Sequence, residues 1–182
     1  MRIIFFALLI ISFNSLAQVG GVFPDMATES LTNNMIDLPS QIKGKYALIG
    51  LAYSKKAEED LQHWFSPVYN NFIHKSETPN PFKFEYDINT YFIPMLTGAK
   101  RPAYKNTMKK VQETVDPRLR PHVLFYEGTM NQYRNLLKLE ESDLPYFFIL
   151  DPDGVIIHTA QGRYTDKKMQ EIINALAPSL KN

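Results

Sequence analysis

The sequence predicts an α/β domain: a central mixed β-sheet flanked by helices, with an N-terminal β-hairpin extension. Three observations carry that expectation. Apolar runs of strand length alternate with amphipathic stretches of helical period along most of the chain. The stretch Leu144–Gly162, LPYFFILDPDGVIIHTAQG, reads as two strands joined by a tight turn. A loop-rich segment ending at Gly44-Lys45 precedes the first strong apolar strand.

Met1–Ala17 reads as a secretory signal peptide. It has a charged start at Arg2, an apolar run from Ile3 to Phe13 and a small-x-small site at Ser15-Leu16-Ala17. The run is too short to span a bilayer as a helix, although an uncleaved anchor is the alternative. Cleavage after Ala17 leaves Gln18–Asn182 as one domain, exported and therefore periplasmic or extracellular. Without Arg2, nineteen cations face nineteen acids, a balance that argues against nucleic-acid binding. The chain has no cysteine, so no disulfide framework supports an exported domain. Stability must come from burial, for which 12 Phe and 10 Tyr provide the area.

The elements follow in order. Gln18–Lys45 carries turn residues together with Val22, Phe23, Leu31, Ile36 and Leu38 to bury. Tyr46–Ala52 is an apolar, central strand. Ser54 is placed to cap a helix whose apolar stripe is Leu61, Trp64, Phe65, Val68, Tyr69, Phe72 and Ile73. Pro67 lies inside that stripe and should kink or restart the helix. Ser76–Pro81 is a turn, and Phe82, Phe84, Tyr86 and Ile88 alternate with polar residues as a strand. Between Leu96 and Pro121 a helical centre of Tyr104, Met108, Val111 and Val115 is bounded by prolines. His122–Tyr126 is a strand, and Asn131–Leu139 a short helix. Phe147–Leu150 and Val155–Ile157 flank Asp151-Pro152-Asp153-Gly154, whose residues are turn formers. Thr165 caps a last helix with the stripe Met169, Ile172, Ile173 and Leu176, stopped before Pro178.

With Pro145 ahead of a strand and a D-x-x-G turn after it, the chain resembles the thioredoxin-like redoxins, including the AhpC-TSA and TlpA-like members. The resemblance covers nearly all of Gln18–Asn182 and implies a cis peptide bond at Leu144–Pro145. It also places the redox motif, C-x-x-C or a single peroxidatic Cys, at the start of the first long helix. There the chain reads Tyr53-Ser54-Lys55-Lys56-Ala57-Glu58-Glu59. Counted from the strand, the motif falls near Lys56 and Glu59; counted back from Pro67, near Glu59 and Gln62. Neither register holds sulfur, and a serine hydroxyl cannot exchange disulfides. A weaker similarity, through Arg134, Leu137, Tyr146, Leu150-Asp151 and Gly154, is to the redoxin-fold assembly factors of mitochondrial ATP synthase. That similarity implies a chaperone role at a membrane complex.

Two binding surfaces are expected. Ser54, Lys55 and Lys56 beside Leu144 and Pro145 would form a degenerate active-site groove for a protein or extended peptide; alternatively, Pro145 is only a fold determinant. Lys100, Arg101, Lys105, Lys109, Lys110, Arg118 and Arg120 stand against Glu113 and Asp116 alone. They form either a patch for an acidic partner or anionic membrane surface, or a solvated helical face. No metal or cofactor is expected. His63, His74, His122 and His158 lack ligand spacing, copper-delivering redoxins use two Cys, and the Asp151 turn has Gly162 where a calcium loop needs Glu. The expected function is thus a redox-inactive protein-binding or assembly module of the cell envelope. The alternatives are an oxidoreductase or peroxidase in name only, and a ligand-binding or structural envelope protein.

Overall fold

A computed structural model describes residues 19–74 and 85–179. The expected signal peptide, the expected Ser76–Pro81 turn and Phe82 and Phe84 therefore lie outside the described residues. The first hairpin is β1 (Met26–Ser30) and β2 (Met35–Leu38), followed by β3 (Tyr46–Ala52). Next come α1 (Lys55–Gln62), α2 (Phe65–Val68), β4 (Ile88–Thr97), α3 (Tyr104–Thr114), β5 (Leu124–Gly128) and α4 (Asn131–Leu136). The chain ends in β6 (Tyr146–Leu150), β7 (Ile156–Gln161) and α5 (Asp166–Leu176). The strands form one mixed sheet in the order β2-β1-β5-β4-β3-β6-β7. Strands β3, β4 and β5 run parallel, while the β1–β5, β3–β6 and β6–β7 ladders are antiparallel.

Side chains alternate across this sheet and build a core on each side. On β4, Phe92 and Leu96 face α1, α2, α3 and α5, whereas Ile93 and Met95 face the other way. The second face is covered by α4 and by the N-terminal segment, through Phe23, Met26, Leu38, Tyr133 and Leu137. Strand β3 is buried along six of its seven residues, as its continuous apolar run requires. Gly50 in its middle leaves room for Phe147: a Cβ there would come within 2.8 Å of the ring.

Local signals in the sequence set several boundaries. The Ser54 hydroxyl accepts from the Ala57 amide at 3.0 Å, and Thr165 accepts from Lys168, so both expected caps form. The turn after β6 is closed by Asp151, whose Oδ1 accepts from the Asp153 and Val155 amides, with Gly154 at φ 85°.

Four expectations need correction, and the expected break in the first long helix takes a definite form. The strand placed over Phe82–Ile88 begins only at Ile88 and runs to Thr97, through Pro94. Pro94 sits where β4 exchanges neighbours: its ladder with β3 ends there, and that with β5 starts at Met95. A missing amide is tolerated at such a hand-over. The expected restart of the first long helix comes at His63-Trp64, ahead of Pro67. Helix α2 restarts so that Pro67 falls in its first turn, where a missing N–H costs nothing. It then passes into a π turn over Tyr69–Ile73. Val22 is 64% exposed, because Gly20–Phe23 runs beside the Gly154–Ile156 backbone and only Phe23 turns inward. Helix α4 stops at Leu136, which points to solvent, while Leu137 and Leu139 are buried beyond it. Finally, Leu144–Pro145 is trans, and the cis bond lies at Leu38–Pro39. Pro145 is already part of the extended run into β6, and its carbonyl accepts from the Gly162 amide at 2.8 Å.

Candidate functional site

The expected site lies where β3 runs out into α1. The β3–β6 ladder ends at the pair Leu51–Tyr146. The same register carried onward sets Ala52 opposite Pro145 and Tyr53 opposite Leu144, one residue ahead of Ser54. Lys55 and Lys56 are exposed on the first turn of α1, Ser54 and Leu144 are half-buried, and Pro145 is buried. The sequence-predicted groove residues are therefore brought to one corner of the domain. Its chemistry is limited by what occupies it, since the Ser54 hydroxyl is engaged in the cap and Lys56 and Glu59 hold the first helical turns.

The corner is tied down from behind. Asp60, with a side chain only 3% exposed, accepts from Arg163 Nε at 2.8 Å and lies 3.5 Å from Lys56 Nζ. Trp64 donates its indole N–H to the Gly162 carbonyl at 3.1 Å and packs on Phe147 at 4.2 Å between centroids. On the open side Lys100 Nζ reaches the Tyr53 carbonyl at 3.3 Å and Glu58 at 3.5 Å. Beside it, α1, α2 and α3 enclose a cleft of about 460 Å³ floored by Phe65, Phe92, Leu119 and Val123. The Asp60–Arg163 tie was missed in the sequence, since its partners stand 103 residues apart.

No family model and no curated protein matches the sequence. Solved structures do match. The C-terminal domain of a candidate thiol-disulfide oxidoreductase from Bacteroides thetaiotaomicron superposes with a TM-score of 0.55 at 15% identity, over 89% of this chain and 98% of that one. Yeast Sco1 gives 0.54 at 16% identity, over 88% and 97%. The pneumococcal exposed lipoprotein thioredoxin from Streptococcus pneumoniae gives 0.53 at 12%, over 85% and 99%. The chain has the thioredoxin-like fold. At these identities the likeness concerns architecture alone, and this thioredoxin-like chain contains no cysteine anywhere.

The basic segment of the thioredoxin-like domain is less free than its composition implies. Lys100 pairs with Glu58 and Arg101 with Glu127 at 3.4 Å. Arg118 binds Asp116 at 2.6 Å while lying 5.0 Å over the Tyr69 ring. Its hydrogen bonds pull the Asp116 carboxyl down to about 2. Lys105, Lys109 and Lys110 remain exposed along α3, and Arg120 is half-buried. The histidines are scattered. His63 and His74 are exposed, His158 lies on β7, and the His122 ring Nδ1 meets the Thr90 carbonyl at 2.9 Å. Among the described residues no three His, Asp or Glu converge as metal ligands. Among them, too, no helix is long and apolar enough to cross a membrane.

Proposed function

We propose that this chain is a redox-inactive thioredoxin-like protein that acts by binding another polypeptide, as an assembly or chaperone module of the cell envelope. The observation that carries the reading is the intact scaffold combined with the complete absence of sulfur nucleophiles: Ser54 caps α1 and no cysteine stands anywhere in the chain. Thiol-disulfide exchange and thiol peroxidation both begin with a thiolate, so neither step can start here. What such a scaffold retains is surface. Ser54, Lys55 and Lys56 follow directly on the end of β3, where the ladder register sets Tyr53 opposite Leu144 and Ala52 opposite Pro145. With Leu144–Pro145 trans, an extended peptide would be held there by side chains at the corner rather than by the backbone pairing of redoxins. The exposed Lys105, Lys109 and Lys110 would add attraction for an acidic partner or an anionic membrane surface. Placement in the envelope rests on the signal-peptide pattern of Met1–Ala17 and on the similarity to an exposed lipoprotein thioredoxin.

The test is site-specific photo-crosslinking in cells, with the reactive group at Lys56, Lys110 or Lys167. The expected result is one discrete adduct from Lys56, absent from Lys167, together with insulin reduction at background. Reduction above background would sink the redox-inactive reading. Equal, diffuse labelling from all three positions would sink the peptide-binding one.

A further inference from the structure

Strands β4 and β5 are parallel neighbours, yet the chain leaves them toward opposite faces of the sheet. After β4 it passes through a 3-10 turn into α3, whose Tyr104 and Met108 pack with Leu96 and Phe125. After β5 it enters α4, whose Tyr133 packs on the other face with Leu124 and Tyr126. This divergence opens a crevice beyond the carboxyl ends of the two strands, which is where open α/β sheets take their ligands. Here the crevice is a cleft of about 410 Å³, the size of a small-molecule site.

Its walls come from the ends of three strands: Tyr53 after β3, Thr97, Gly98 and Arg101 at and after the end of β4, and Gly128, Met130 and Arg134 among the residues at and after the end of β5. Two guanidinium groups line it, Arg101 and Arg134, and among the described residues no carboxylate does. Arg101 lends its Nε to Glu127 at the margin, and over half of its side chain stays exposed. Arg134 makes no ion pair among the described residues. Apolar surface is supplied by Met130 and by the ring of Tyr53, whose hydroxyl donates to the Leu139 carbonyl at 3.0 Å and lies beside the Arg134 guanidinium. Planar, always-charged forks beside an aromatic and a thioether suit an organic anion: the forks match a carboxylate, the apolar wall its carbon skeleton.

We propose that this crevice binds a small organic carboxylate, with its head group on Arg134 and Arg101 and its skeleton against Tyr53 and Met130. The test is an amide ¹H–¹⁵N shift titration of the folded protein with acetate, succinate, citrate, benzoate and inorganic phosphate. The expected result is saturable shifts at Thr97–Arg101 and Gly128–Arg134 with at least one carboxylate. Arg134→Gln should weaken that affinity roughly tenfold or more, as loss of a two-pronged charged contact does. Arg101→Gln should weaken it less, and Lys167→Gln, exposed on α5, should leave it unchanged. No saturable shift at those amides with any carboxylate would overturn the proposal, as would undiminished binding by Arg134→Gln. Phosphate binding there as tightly as the best carboxylate would overturn it as well.

Discussion

The two halves of the sheet are built differently. On the side of β3, β6 and β7, elements distant in sequence are fastened by a buried indole, a buried carboxylate and an unbroken ladder. On the side of β4 and β5, helix α3 and the strand ends stand off from their neighbours and leave two clefts, of about 460 and 410 Å³, against one of about 220 Å³ between β6, β7 and α5. The difference teaches where this scaffold is closed and where it offers surface. The closed half holds the corner at which thiol chemistry would sit, and the open half holds the space in which a ligand would fit. Rigidity at the corner therefore does not depend on a disulfide.

Substitutions can break or sharpen that contrast. The largest effect is expected from Trp64→Ala, which removes a fully buried ring and its hydrogen bond and should cost about 3–5 kcal/mol in urea unfolding. Asp60→Asn should cost about 2 kcal/mol, the scale of a hydrogen bond to a charged group, because Arg163 can turn out into solvent. Across the sheet, Val111→Ala lines the larger cleft and is already half wet, so less than about 1 kcal/mol should be lost. A Val111→Ala loss as large as that of Trp64→Ala would end the distinction between the halves.

The smallest effect is one of pH and belongs to the open half. Burial holds the His122 imidazole below its ordinary value of 6.5, against a raising contribution from the Thr90 carbonyl. The unfolded chain therefore takes up the proton first. The stability that neutral His122 contributes is present above the unfolded pKa and is lost as pH falls through the folded one. Urea midpoints should decline as pH falls below His122's ordinary value of 6.5, and His122→Gln should flatten that decline. An unchanged slope in the variant would assign the dependence to other groups.

The legible parts of the fold share one property, which is that their signals are local. Tyr46–Ala52 announces itself by unbroken apolarity, the Asp151–Gly154 turn by its residue types, and the Ser54 and Thr165 caps by a hydroxyl placed just ahead of a helix. What could not be read depended on partners elsewhere. Residues Asn89–Thr97 alternate poorly and contain Pro94, so their strand character comes from β3 on one side and β5 on the other. The break ahead of Pro67 is set by Trp64 reaching Gly162 and Phe147. At the candidate site, the corner residues could be named in advance because they follow a strand and begin a helix. The crevice of Arg101 and Arg134 could not, since its walls come from the ends of three separate strands.

By itself, then, the sequence determined which chemistry is open to this protein. A chain without a thiol cannot start sulfur exchange in any fold, because reactivity belongs to atoms and not to their arrangement. The tertiary structure alone decided where the cavities open, which lysines and arginines are neutralised and which proline is cis. Those properties arise from distances between residues far apart in the chain, and these distances exist only once the sheet has brought its strands together.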